Sequence, residues 1–263
     1  MEALRPGGKR LEARRWGPGD GLQIVMLHEG LGSVGLWRDT PERLAEATGL
    51  GVLAYSRAGY GRSDPADLPR PLDYMTREAT EVLPQVLDAA GIDRAILMGH
   101  SDGATIAAIH AGSVEDHRVR GLILIAPHFF TEEMGLAEIA RAKEAYETGD
   151  LRARLARHHD HPDIAFRGWN DAWLDPGFRD WSVAEVIDYL RIPILAIQGT
   201  ADPYGTRAQI DELAARSYAP VDVVMPEGAG HAPHHDRAEE TLAAITDFTR
   251  RLARIEAAGP VPA

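Results

Sequence analysis

Three side chains in this 263-residue sequence have the types and order that a serine nucleophile and its proton relay need. Ser101 sits in Gly99-His100-Ser101-Asp102-Gly103, Asp202 in Gly199-Thr200-Ala201-Asp202-Pro203, and His231 in Gly228-Ala229-Gly230-His231-Ala232. A serine hydroxyl is a poor nucleophile at neutral pH. An imidazole within hydrogen-bond reach can take its proton during attack and return it to the leaving group. A carboxylate behind the imidazole fixes its tautomer and stabilises the cation that forms. On this reading Ser101 attacks, His231 is base and then acid, and Asp202 orients His231. The charge that develops on the substrate oxygen needs backbone N–H donors. Asp102, opening a helix, and Gly30, in His28-Glu29-Gly30-Leu31-Gly32, are the expected pair.

The elements around these residues are those that could hold them in place. Residues 95–98 are a short apolar run entering the glycine-flanked turn at Ser101, and an Ala/Ile-rich stretch with helical spacing leaves it. The pattern predicts strand, tight turn and helix, with a strained apex that only small neighbours at Gly99 and Gly103 permit. That spacing also centres the turn on Ser101 and rejects Asp102 as the nucleophile. Further buried strands are predicted over 23–27, 51–56, 121–126, 192–198 and 221–225, after a first strand over 9–16. Helices are predicted over 39–48, 73–90 with a kink at Pro84, 206–217 and 237–257. Strands alternating with helices imply a mostly parallel central sheet flanked by helices. Ser101, Asp202, His231 and Gly30 each follow a predicted strand, where open α/β sheets place their ligands.

The alternation breaks over 131–184, which has helical stretches and Trp169, Trp173, Phe178 and Trp181 but no strand pattern. The expected organisation is therefore a core of residues 1–130 and 185–258, a helical insertion over 131–184, and a frayed tail over 259–263. A net charge of −12 argues against a nucleic-acid partner, which needs a concentrated basic surface. No cysteine is present, which excludes thiol catalysis, disulfides and Cys-ligated metals in this sequence. The first twenty residues are polar and Arg-rich, and no apolar run approaches membrane-spanning length. A cytoplasmic protein without a membrane partner is expected.

With four motifs on the page, the sequence resembles the α/β-hydrolase-fold superfamily from the strand before His28 to the closing helix. The resemblance implies that Ser101 is at the nucleophile elbow, Asp202 is the acid after the penultimate strand and His231 is the histidine after the last. It also implies that 131–184 is a cap that shapes the substrate pocket, and that Gly59-Tyr60-Gly61-Arg62-Ser63 is the loop after the fourth strand. Gly30-Leu31-Gly32 with Trp37 is similar to the oxyanion loop of enol-lactone hydrolases. Many members carry His-Gly where this chain has His28-Glu29, so Glu29 is expected to point away from the developing charge or to be paired.

The implied activity is a cofactor-independent serine esterase that cleaves a small-molecule ester, lactone or thioester through an acyl-enzyme. The alternatives are a carbon–carbon bond hydrolase of ring-cleavage products and a non-catalytic small-molecule binding protein on the same fold. A homodimer is left open. No metal site is expected: His158-His159-Asp160-His161 and His234-His235-Asp236 lack helix-borne ligand spacing and read as solvated surface. Arg141, Lys143, Arg152, Arg154 and Arg157 could meet an anionic substrate, but read better as a solvated face beside Glu144, Glu147 and Asp150. The aromatics of 131–184 are divided equally between a pocket lining and that segment's own core.

Overall fold

The computed structural model describes residues 2–258. The tail expected over 259–263 lies outside the described residues. Eight strands form one sheet: β1 (Glu2–Leu4), β2 (Leu11–Trp16), β3 (Leu22–Leu27), β4 (Gly51–Tyr55), β5 (Arg94–His100), β6 (Val119–Ile125), β7 (Ile194–Ile197) and β8 (Val221–Val224). Their spatial order is β1-β2-β4-β3-β5-β6-β7-β8. β1 pairs antiparallel with β2 and β2 with β4, and every later pairing is parallel. The expected mostly parallel sheet is therefore present.

The central strands are apolar throughout because both faces are covered. All six residues of β3 are buried. Alternation sends Val25 and Leu27 to one face, with Leu97, Ala104 and Ala108, and sends Ile24 and Met26 to the other, with Trp37, Leu44 and Phe248. Helix α1 (Thr40–Thr48) and the last helix, α10 (Ala238–Ala258), cover the second face. Helices α2 (Tyr74–Arg77), α3 (Leu83–Ala90) and α4 (Asp102–Ser113) cover the first. Nine consecutive residues of α4, Asp102 to His110, are buried, so the helix is covered on every side rather than on one stripe.

Between β6 and β7 lie α5 (Glu133–Thr148), α6 (Leu151–Leu155) and α7 (Pro162–Trp173). Tyr146 stacks on Phe166 with ring centres 3.8 Å apart, and Asn170 Nδ2 donates to the Ile139 carbonyl at 2.9 Å, which fastens α5 to α7. A single antiparallel bridge between Phe130 and Ser182 closes the base of this excursion. After β7 come α8 (Arg207–Arg216) and the short α9 (Pro233–Asp236).

Three differences from the sequence reading have local causes. β1 has only three residues and no alternation long enough to read; it exists because β2 offers it a free edge. The helix expected over 73–90 is not merely kinked at Pro84. A π-helical turn over Glu78–Val82 separates α2 from α3, just before the proline, which has no N–H to give to the carbonyl four residues back. The closing helix stands where it was expected, but a short separate turn over Pro233–Asp236, ended at Arg237 (φ −132°, ψ 54°), precedes it and was not predicted. Among the described residues no helix is long and apolar enough to cross a membrane.

Candidate active site

β3 and β5 are adjacent in the sheet, but β4 separates them in sequence and lies on the other side of β3. The chain thus leaves β3 in one direction and returns on the other, and the loops at the two strand ends diverge to open a crevice. Gly30 follows β3, and Ser101 follows β5.

Ser101 has φ 53° and ψ −121°, a conformation that L side chains rarely adopt. The packing that enforces it uses the two flanking glycines. A Cβ on Gly99 would stand 2.2 Å from the Gly103 carbonyl oxygen, and one on Gly103 would stand 2.0 Å from that of Leu27. Ser101 N–H is tied to the Ile125 carbonyl at 2.8 Å, so the apex is anchored to the neighbouring strand. Its side chain opens into a cavity that also receives Glu29, Gly30, Asp102, His128 and His231.

Asp202 and His231 come from the loops after β7 and β8. These loops pack backbone against backbone: a Cβ on Gly199 would lie 2.2 Å from the Gly230 carbonyl, and Ala201 N–H bonds the Ala229 carbonyl at 2.9 Å. The result is a hydrogen bond of 2.8 Å between His231 Nδ1 and Asp202 Oδ2. Asp202 also accepts from Gln198 Nε2 at 2.7 Å and from Tyr204 N–H at 2.8 Å. Burial alone would raise the Asp202 pKa, but the His231 hydrogen bond and charge, with the Tyr204 N–H, outweigh it and hold the carboxyl below its ordinary value. With a carboxylate at Nδ1, the Nδ1–H tautomer is favoured and Nε2 is left free to accept a proton. No direct Ser101–His231 hydrogen bond is formed among the described residues; this contact is commonly long in free enzymes and tightens on substrate binding.

Gly30 lies on the same cavity, under the Trp169 indole of α7, where a Cβ would come within 2.2 Å of the ring. The N–H groups of Gly30 and Asp102 have no acceptor among the described residues, as an oxyanion site requires. His28 braces the loop. Its Nε2 accepts from Arg57 N–H at 3.0 Å, so its Nδ1 carries the proton and donates to the Glu29 carbonyl at 2.7 Å. Burial, then the Arg57 charge, hold His28 neutral with a pKa well below the usual imidazole range.

Glu29 is paired, as expected: its Oε2 lies 3.5 Å from His100 Nδ1. Burial would raise its pKa, yet the bond and charge of His100 hold it far below the ordinary value. Asp102 turns its side chain away into the core and accepts from Tyr74 Oη at 2.5 Å, while Trp173 Nε1 donates to the same Tyr74 oxygen at 3.1 Å. Burial raises the Asp102 pKa.

Two expectations are corrected. His159 and His234 are not solvated surface: they are 3% and 6% exposed. His159 Nδ1 accepts from Gly61 N–H at 2.9 Å and its Nε2 donates to the Leu31 carbonyl at 3.0 Å, so it braces the loop that carries Gly30. His234 packs against Trp37 and His100. Among the described residues no group of three His, Asp or Glu side chains is placed to hold a metal ion. The arginines of the insertion do not line the cavity. Arg141 pairs with Glu138, Arg152 with Asp163 at 2.6 Å and Arg154 with Asp150 at 3.6 Å. The aromatics serve both expected purposes: Trp169 and Trp173 face the cavity, while Phe178 and Trp181 stack on each other behind Trp173.

His128 and Tyr204 were not singled out from the sequence. His128 stands at the mouth of the cavity, its ring centre 5.7 Å from that of His231. Burial and then the His231 charge push its pKa down to about 3, so it is neutral. Its position just past an apolar strand, like that of Gly30, was the signal available. Tyr204 covers His231 with ring centres 4.6 Å apart.

The family profile for alpha/beta hydrolases matches residues 24–245. The chain belongs to the alpha/beta hydrolase family. A hydrolase is also what its relatives support. The chain is 31% identical over 278 residues to the polyketide synthase ThaQ of Burkholderia thailandensis, which covers 94% of the chain but only 13% of that much longer protein. It is 27% identical over 255 residues to a proline iminopeptidase of Lactobacillus delbrueckii subsp. bulgaricus, covering 81% of the chain and 85% of that enzyme. Among solved structures, the enol-lactonase from Burkholderia xenovorans LB400 superposes with a TM-score of 0.71 at 21% identity, covering 94% of the chain and 99% of its own. At that identity the likeness speaks for the fold of this hydrolase and no further.

Proposed function

We propose that this hydrolase is a serine esterase: it cleaves a carboxylic ester, lactone or thioester through an acyl-enzyme, using Ser101, His231 and Asp202. The observation that carries the reading is the 2.8 Å bond from His231 to a buried, ionised Asp202 beside the cavity that Ser101 enters. His231 Nε2 takes the Ser101 proton as Oγ attacks the carbonyl carbon. The oxyanion is met by the N–H groups of Gly30 and Asp102, aided by the α4 dipole. His231 then gives the proton to the leaving oxygen or sulfur, and a water activated by the same imidazole releases the acid.

The segment 131–184 acts in this reading as a cap, because α5 and α7 contribute Ile139, Trp169 and Trp173 to the cavity wall. That wall is apolar on the side of these helices. It includes Glu29 and Glu132 but, among the described residues, no lysine or arginine. An uncharged acyl group fits such a wall, and the phosphates of an acyl-CoA would have to remain outside it.

The test is acid release from a panel of short and long aryl esters, a lactone, an acyl-CoA thioester, a proline arylamide and a vinylogous diketone, with wild type and Ser101→Ala. Turnover of an ester or lactone that Ser101→Ala abolishes supports the proposal. Equal turnover by both proteins overturns it, and preference for the arylamide or the diketone reassigns the bond that is cleaved.

A further inference from the structure

The His100 imidazole is 3% exposed and lies between two groups that can only accept hydrogen bonds. Its Nε2 is 2.7 Å from the carbonyl oxygen of His231, and its Nδ1 is 3.5 Å from Glu29 Oε2. The carbonyl has no proton to give, so Nε2 must carry one. A neutral imidazole has one N–H, and Nδ1 would then turn a lone pair toward Glu29. An ionised carboxylate also presents only lone pairs, and two facing lone pairs in a buried site repel. The contact becomes attractive when one further proton is present on Nδ1, facing the ionised carboxylate.

We propose that Glu29 and His100 are a positioning pair that shares this proton and thereby locks the His231 backbone to the oxyanion loop. The proposal rests on the assignment of Ser101, His231 and Asp202 above. Glu29 precedes Gly30, and His100 precedes Ser101, so one contact between a buried imidazole and a half-buried carboxylate joins the oxyanion loop, the nucleophile turn and the His231 loop. The pair holds backbone positions and touches no reacting atom.

The titratable groups that face His100 come from every neighbouring loop: Glu29 after β3, His128 after β6, and His231, His234 and His235 after β8. Trp37 packs beside them. His128, His234 and His235 are kept neutral, in each case chiefly by burial. Glu29 is therefore the carboxylate among these groups that meets His100.

The experiment compares wild type, Glu29→Gln and Glu29→Ala at pH 7 on the ester that wild type turns over best. The Gln amide can donate to Nδ1 while Nε2–H still meets the His231 carbonyl, so this network is complete without an extra proton. Glu29→Ala should lose kcat by about tenfold or more with KM little changed. Glu29→Gln should recover most of that loss. In ring-nitrogen NMR, His100 Nδ1 should share a proton with Glu29 in wild type and accept from the amide in Glu29→Gln.

A Glu29→Ala variant equal to wild type, or a Glu29→Gln variant no better than Glu29→Ala, overturns the pair. So does a His100 Nδ1 signal that is the same in wild type and in Glu29→Gln. The NMR readout needs no turnover, and an active Ser101→Ala would sink the serine assignment without touching it, so the two failures are distinguishable.

Discussion

Arg57 donates to the carbonyl oxygens of two consecutive residues, through Nη1 to His28 at 2.5 Å and through Nη2 to Glu29 at 3.0 Å. It is fully buried, and no carboxylate among the described residues forms an ion pair with it. A planar fork that meets two successive carbonyls fixes the peptide between them, and hence the direction of the next N–H, that of Gly30. Arg57→Lys keeps the charge but can satisfy only one oxygen at a time. Its kcat should fall by about 10- to 100-fold with KM little changed, as expected when a donor is misplaced by a fraction of an ångström. Arg57→Met leaves the His28 carbonyl unpaired, while that of Glu29 keeps His28 Nδ1 and Gly32 N–H, and should cost about 1–3 kcal/mol in urea unfolding. An Arg57→Lys protein with wild-type kcat would show that the loop holds its shape without the fork.

Asp202→Asn tests the proton relay rather than the packing. Asn can still accept from Tyr204 N–H through Oδ1, but its Nδ2 then stands where Oδ2 accepted from Gln198 and His231, so it turns a donor toward His231 Nδ1 and favours the tautomer with the proton on Nε2. That imidazole cannot take a proton from Ser101 at Nε2. Turnover should drop on the order of 10⁴-fold while the urea midpoint changes little. A loss of less than tenfold would assign the orienting role to another group.

Much of this arrangement was legible because it depends on short-range chemistry. The glycines at 99 and 103 announce a turn that no larger residue permits, and the distances to Gly103 and Leu27 bear out that reason. Continuous apolar runs before His28, Ser101 and Asp202, and the Val-rich run before His231, identify parallel strands whose ends share one edge of the sheet. What could not be read depends on residues brought together from distant loops. Nothing local to His158-His159-Asp160-His161 shows that His159 bridges Gly61 and Leu31, since both partners are about 100 residues away or more. The Glu29–His100 contact spans 71 positions and joins two loops whose distance only the β3–β5 register determines. The split of the helix near Pro84 was visible only as a kink, because a missing N–H signals a defect but not whether the chain answers by bending or by a π turn.

Gly30 and Trp169 should be coupled. A Cβ at position 30 would meet the indole at 2.2 Å, and neither the loop, held by Arg57 and His28, nor the ring, on α7, can yield easily. Gly30→Ala should therefore lower kcat by about 100-fold or more by displacing the N–H that meets the oxyanion. Shortening the ring in Gly30→Ala/Trp169→Leu should restore at least part of it. Trp169→Leu alone should act mainly on KM, because the indole lines the cavity and makes no contact with the relay. Additive losses in the double variant would mean that the two positions do not meet.

Acid should destabilise this protein well above the carboxylate range, and His128 shows why. Its ordinary pKa is near 6.5, and in the folded chain burial and then the His231 charge hold it down to about 3. Between those values the unfolded chain binds a proton that the folded chain excludes, so stability falls as pH falls through this window. One such group contributes a slope of up to about 1.4 kcal/mol per pH unit, with no effect above pH 6.5. His28 and His234 are shifted in the same direction by the same cause, burial, so the slopes add. Urea midpoints should be flat from pH 7.5 to 7 and drop steeply from pH 6.5 to 5. His128→Asn removes one titrating group, and its slope should be smaller by one proton. The gap between variant and wild type should therefore shift steadily in favour of the variant as the solution is acidified. Parallel curves between pH 6.5 and 4.5 would mean that His128 takes up its proton without unfolding the chain.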